Sequence, residues 1–168
     1  FTTFEAGIKV HWLPVPYSNR MGFIDRIFAF LKFAIRGSLH AASLEADIIF
    51  ATSTPLTIAF PAVYSSYKLN IPMVFEVRDL WPEMPIAMGA LTNPFLVRAS
   101  RALEKWAYQH ASAVVALSPG MKDGVIRTGY PSSRVAVIPN SCDNQEFAFD
   151  YNAAQNFRAK RSWLGDRP

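Results

Sequence analysis

The sequence predicts an α/β fold, a mostly parallel sheet with helices on both faces, and three observations carry that prediction. Short apolar runs at 46–51, 73–77, 113–117 and 135–138 are rich in alanine, β-branched and aromatic residues, as strands buried in a parallel sheet are. Two of these runs are followed at once by a helix-start signal, Thr54-Pro55 and Ser118-Pro119, with a hydroxyl to cap and a proline at the first helical position. Segments of helical periodicity separate the runs. Parallel neighbours need such crossovers, because a tight turn cannot join them.

In chain order, 7–13 is a short apolar stretch with Ile8, Val10 and Trp12, stopped by Pro14 and Pro16, and reads as an edge-like strand. After a loop at 14–19 the pattern becomes helical from Met21 to Arg36. Phe23, Ile24, Ile27, Phe28, Phe30, Leu31, Ala34 and Ile35 fill one arc of this helix, and Asp25, Lys32 and Arg36 share the opposite side. Two readings stand for it. The arc packs on the sheet, or Arg20, Arg26, Lys32 and Arg36, with Phe33 among them, face a bilayer surface. Strand 46–51, helix 56–69 closed by Asn70, and strand 73–77 form the first crossover unit. A short lid or helical turn at 84–89 comes next, then a helix from Asn93-Pro94 to about Gln109, whose solvated side is expected to hold Ser100, Arg101, Glu104, Lys105 and Gln109. Strand 113–117, helix 120–128 ended by Gly129, and strand 135–138 repeat the unit. The alternation fades from Asn144, and 150–163 reads as a polar, basic helix.

The chemistry concentrates where the central strand ends. Ile71 to Glu83 reads IPMVFEVRDLWPE, so Glu76, Arg78, Asp79 and Glu83 form a candidate polar cluster at the carboxyl end of a parallel strand, where open α/β sheets carry their ligand crevice. A plainer reading pairs Arg78 with Asp79 and makes Trp81-Pro82 a rigid turn. The hydroxyls of Thr52, Ser53 and Thr54 fall on the same sheet end, where a helix N-terminus either receives a phosphate or is merely capped. There is no glycine-rich phosphate loop.

Composition bounds the rest. A chain of 168 residues with 51% hydrophobic residues supports one domain with a real core, and its 18% charged and 14% aromatic residues leave apolar surface for a membrane or partner. The net charge of +4 suits an anionic partner. Nucleic acid fits poorly, because Lys and Arg are scattered and no nucleic-acid motif is present. The one cysteine, Cys142, suits a reducing compartment, and His11, His40 and His110 show no ligand spacing, so neither metal nor cofactor is expected. No run of eighteen uncharged apolar residues is present, and a start at Phe1 rather than Met is expected of an internal piece of a longer chain.

Four segments, Ala51-Thr52-Ser53-Thr54-Pro55-Leu56, Phe75 to Glu83, Leu117-Ser118-Pro119-Gly120-Met121 and Val137-Ile138-Pro139-Asn140-Ser141-Cys142-Asp143, resemble the amino-terminal domain of family-4 glycosyltransferases. Within that family the Arg-Asp-Leu-Trp-Pro segment is similar to bacterial O-antigen and capsule enzymes of the fucosamine-transferase type. The resemblance implies a Rossmann-like half of a GT-B fold at 1–143, lacking its first strand, turn and helix, and a linker at 144–168 towards a carboxyl-terminal nucleotide-sugar domain. It implies retaining transfer from a nucleotide-sugar, held mainly by that other domain, to a polyprenyl-diphosphate-linked saccharide at the cytoplasmic membrane's inner face. The fragment is expected to be inactive alone.

Such a transfer must stabilise an oxocarbenium-like centre and a departing diphosphate, so Arg78 is expected to serve the phosphates and Asp79 and Glu83 to orient the acceptor. Thr52, Ser53, Thr54, Ser118 and Asn140 are the expected acceptor- or phosphate-binding groups. Two departures stand out: many relatives carry His where this chain has Arg78, and Asn140-Ser141 replaces the usual Asn-Gly. A non-catalytic nucleotide- or sugar-phosphate-binding domain is the other reading.

Overall fold

The computed structural model describes residues 1–18, 20–53, 55–144, 148–161 and 163. Its frame is a four-stranded parallel sheet of β3 (Ile49–Thr52), β4 (Met73–Val77), β5 (Ala113–Ala116) and β6 (Val135–Val137), in that spatial order. Register aligns Ala51 with Phe75, Phe75 with Val114, and Val114 with Val135. All four are buried and belong to one core cluster, so the alternation within each strand becomes a continuous apolar layer across the sheet. Phe75 is fully buried, and its ring meets Tyr108 edge-on at 5.9 Å. Tyr108 in turn meets Tyr130 at 6.5 Å, and the Tyr130 hydroxyl donates to the Ala111 carbonyl at 2.9 Å, which satisfies its polar end.

Helices make the crossovers. α1 (Phe23–Ala41) precedes β3, α2 (Ala59–Leu69) joins β3 to β4, α3 (Glu83–Ala87) and α4 (Pro94–His110) join β4 to β5, and α5 (Pro119–Arg127) joins β5 to β6. α6 (Tyr151–Ala159) follows. The start signals at Asn93 and Ser118 act as read. Asn93 Oδ1 accepts from the amides of Phe95 (2.9 Å) and Leu96 (3.3 Å), and Ser118 Oγ accepts from Met121 N at 3.2 Å, each with proline inside the first turn. Asp150 caps α6 through Ala153 N at 2.9 Å. Asn70 closes α2 in the left-handed conformation, φ 53°.

Three expectations are corrected. The stretch at 7–13 is not an edge of the main sheet: Ile8–His11 (β2) pairs antiparallel with Thr2–Glu5 (β1) in a separate hairpin whose turn, Ala6-Gly7, has φ of 48° and 83°. Pro55 is not the first residue of an α-helix. It precedes a 3-10 turn at Leu56–Ile58 with no side-chain cap, and α2 begins only at Ala59; Thr54 lies outside the described residues. Nor does the predicted arc of α1 pack as a whole. Ala29, Ala34 and Gly37 are buried, and α1 approaches α2 so closely that a methyl on Gly37 would meet Pro61 Cβ at 3.4 Å. Small residues allow that approach, and it turns Ile24, Phe28, Leu31, Ile35 and Leu39 outward, 41–67% exposed.

Candidate functional site

Parallel order brings the polar strand ends to one edge of the sheet. Thr52 and Ser53 leave β3, Arg78 and Asp79 leave β4, Ser118 leaves β5, and Asn140 follows β6. β3 and β4 are tied there by more than the ladder. Ser53 N donates to the Glu76 carbonyl at 2.8 Å, and the Ser53 hydroxyl accepts from Arg78 N at 3.0 Å. Ser53 is 3% exposed, so its oxygen fixes the backbone of Arg78 rather than presenting itself at the surface. The Arg78 side chain is exposed, Asp79 and Glu76 are half-buried, Asn140 is exposed, and Ser118 is engaged as the cap of α5. Thr52 lines an apolar cavity with Ala41, Ile49, Phe50 and Ile58.

Beyond Asp79 the chain turns sharply through a cis Trp81–Pro82 bond with Pro82 fully buried. Leu80 seats on Gly124 of α5; a methyl at Gly124 would fall 2.7 Å from a Leu80 methyl. This is why a glycine stands inside α5: the loop needs the space a side chain would take. Met84 N donates to Leu80 O at 3.0 Å, joining loop and α3.

Glu83 lines a cavity of about 240 Å³ between α3, α4 and α5, with Arg101, Glu104, Lys105, Gly124, Arg127 and Thr128. Glu104 corrects the expectation of a solvated side for α4, because it is 3% exposed, with the Tyr108 hydroxyl donating to its Oε1 at 3.1 Å. Burial, and then the Glu83 carboxylate, push the Glu104 carboxyl up to about 7, against the opposing pull of Tyr108 and Arg101. The Tyr108 hydroxyl is pushed well above the usual tyrosine range by burial and by Glu104. Sequence reasoning missed Glu104, although its spacing of four from Tyr108, on the side of Ala107 and Ala111, was the available signal.

On α1 the expected basic side is divided. Arg36 donates to the Pro14 carbonyl at 2.7 Å and Arg26 Nε to the Met21 carbonyl at 3.1 Å, while Arg20 and Lys32 are exposed. Phe33 does not stand outward among these charges. It is half-buried beside Pro55, Ile58 and Tyr17, because the α2-facing side of the helix takes it. Among the described residues no helix is long and apolar enough to cross a membrane, and no three His, Cys, Asp or Glu side chains are grouped to hold a metal.

A family profile described as a glycosyl transferase 4-like domain matches residues 2–141. Crystal structures of Anabaena Alr3699/HepE are similar in fold. The complex with UDP-glucose aligns at TM-score 0.54 and 18% identity over 79% of this chain and 32% of that one. The complex with UDP and glucose aligns at 0.53 and 19% over 83% and 34%, and that with UDP at 0.51 and 17% over 79% and 32%. The chain thus spans about a third of the length of those proteins, and the shared fold is the Rossmann-like half of a GT-B architecture. No curated protein sequence matches it.

Two outcomes are expected. Ser53→Ala leaves the partly buried Arg78 amide without its side-chain acceptor and costs about 1 kcal/mol, read by chemical denaturation together with faster hydrogen exchange at Arg78. Glu104 holds its proton more tightly folded than unfolded. Stability contributed by the protonated form is therefore complete below the unfolded carboxylate value of 4.5 and lost as pH rises towards about 7, at most about 3 kcal/mol in all. Tm against pH should fall across that window in the native chain and much less in Glu104→Gln.

Proposed function

The chain belongs to the glycosyl transferase 4-like domain family, and on that premise we propose that it is the acceptor-side half of a retaining glycosyltransferase. The observation that carries this reading is the family match over 2–141 together with the gathering of Thr52, Ser53, Arg78, Asp79, Ser118 and Asn140 at the carboxyl edge of one parallel sheet. That edge is where doubly wound folds bind ligands. A nucleotide-sugar is the donor, a partner supported by the UDP and UDP-glucose held by proteins of similar fold, and the bulk of it is bound by a second domain.

In this reading the exposed guanidinium of Arg78 neutralises the departing diphosphate or the acceptor's own, a task suited to a cation whose backbone is already fixed by Ser53. Asp79 orients the acceptor hydroxyl. Asn140, exposed after β6, and Thr52 flank the same edge as acceptor contacts. The acceptor is a saccharide on a polyprenyl diphosphate, the product a bacterial surface polysaccharide of the O-antigen or capsule kind, and the 168-residue half is inactive without its partner domain.

The enzyme sits at the inner face of the cytoplasmic membrane. The outward stripe of α1 supports this: Ile24, Phe28, Leu31, Ile35 and Leu39 lie exposed at successive turns with Lys32 beside them and Arg20 near the helix start. Such a stripe enters the headgroup boundary while the cations meet anionic lipid, at about 1 kcal/mol per charge. Phe33, turned towards α2, has no part in it.

Transfer is the first test. In the full-length enzyme Arg78→Ala and Asp79→Ala each lower turnover by about tenfold or more with unchanged circular dichroism, since orientation or charge stabilisation is lost; near-normal turnover in both removes this edge from the mechanism. For the membrane, co-sedimentation with phosphatidylglycerol vesicles should weaken in a Phe28→Glu, Ile35→Glu double variant. Equal binding of variant and wild type assigns the stripe to protein contact instead.

A further inference from the structure

The segment from Arg78 to Glu83 is held at two points and ends on a cavity. Ser53 Oγ holds the amide of Arg78 at 3.0 Å, Leu80 is seated on Gly124, and Glu83 opens α3 inside the cavity it shares with Glu104. The two holds are a neutral hydrogen bond and a packing contact. Glu83 faces the cavity from α3; Arg101, Glu104 and Lys105 face it from α4, with Tyr108 bonded to Glu104 behind; Arg127, and Thr128 after it, face it from α5. Of these charged groups Glu104 alone is withdrawn from water, while Glu83, Arg101, Lys105 and Arg127 are exposed. A carboxylate fixed in a low-dielectric wall repels a second one across a small cavity far more strongly than two exposed carboxylates repel each other.

We propose that Glu104 is a positioning residue for the Arg78–Glu83 loop: with Glu83 it forms a carboxylate pair that keeps the loop seated while Glu104 holds its proton and releases the loop when Glu104 loses that proton. The hydrogen bond from Met84 N to Leu80 O ties the start of α3 to the loop, and on this proposal a push on Glu83 is passed to Leu80 through it. The proton is held at Glu104, whose carboxyl burial raises to about 7, within the range where cytoplasmic pH varies. Arg101 opposes the shift, and Lys105 and Arg127 line the same cavity. Functional meaning for this pair rests on the reading of Arg78 and Asp79 as the transferase edge; the coupling itself does not.

The test is a pH titration by NMR of the ¹⁵N-labelled chain between about pH 5 and about pH 9, following the amides of Asp79, Leu80 and Glu83. All three are expected to move with one midpoint near 7. Glu104→Gln, which keeps shape and the Tyr108 contact, should abolish that transition, and Glu83→Gln should lower its midpoint by about half a unit or more. Loop amides that keep their transition in Glu104→Gln, or a midpoint unmoved in Glu83→Gln, overturn the pair. Should Glu104→Gln not fold, Tyr108→Phe decides: it removes a bond that favours the ionised form, so the loop midpoint must rise, and a fixed midpoint again overturns the pair. None of these readouts needs donor or acceptor. A titrating loop together with no transfer by the full-length protein sinks the proposed function and spares the pair, whereas a full-length enzyme that is active while the loop stays silent sinks the pair alone.

Discussion

Parallel pairing of β4 with β3 on one side and β5 on the other is the constraint on which the remaining structure depends. Parallel strands all run the same way and return through helices, so every strand end with the same polarity comes to the same edge. Without that, Ser53 and Arg78, twenty-five residues apart, would not be within hydrogen-bond reach. The pairing also dictates where apolar residues are spent. In-register Ala51, Phe75, Val114 and Val135 form a single layer against α2, α4 and α5, and the aromatic contacts of Tyr108 and Tyr130 extend it to the start of β5.

Beyond the sheet edge, the polar residues divide by what their backbone requires. Ser53 and Ser118 spend their side-chain oxygens on amides, because a buried or terminal N–H left unpaired costs more than a surface hydroxyl gains. Arg78 and Asn140 stand exposed at the same edge, with Asp79 half-buried beside Arg78 in the chain. Glu83 belongs to a different neighbourhood. After Trp81 and Pro82 it opens α3 beside a cavity whose other charged lining groups are Arg101, Glu104, Lys105 and Arg127.

α1 shows how one amphipathic pattern serves two surfaces. Its small residues, Ala29, Ala34 and Gly37, take the interface with α2, since backbones in close approach need little side chain between them. Its large aliphatic residues are thereby displaced to the outside. A helix this apolar on its solvent side is a surface that calls for cover, in agreement with the low charged fraction of the chain as a whole.

By itself the sequence determined the fold class, the strands at 73–77, 113–117 and 135–138 to within a residue or two, and the caps at Asn93 and Ser118. These rest on local rules: period, β-branching, and the capping chemistry of hydroxyl or amide before proline. It also determined which strand ends are polar, and so where a ligand edge would lie once the strands were parallel. The hairpin partner at Thr2–Glu5 was missed because a four-residue strand with no long apolar run carries little signal, and the turn that makes it, Ala6 in a left-handed conformation, is one the residue type disfavours. Only the tertiary structure decided that Ser53 is a backbone clamp, that Glu104 is buried, that Glu83 faces it, and which side of α1 meets protein. Each of those depends on a neighbour distant in sequence, and periodicity along one helix tells apolar from polar without telling which apolar side is chosen. For α1 the choice fell to close packing of Gly37 against Pro61, a contact set by shape rather than by hydrophobicity.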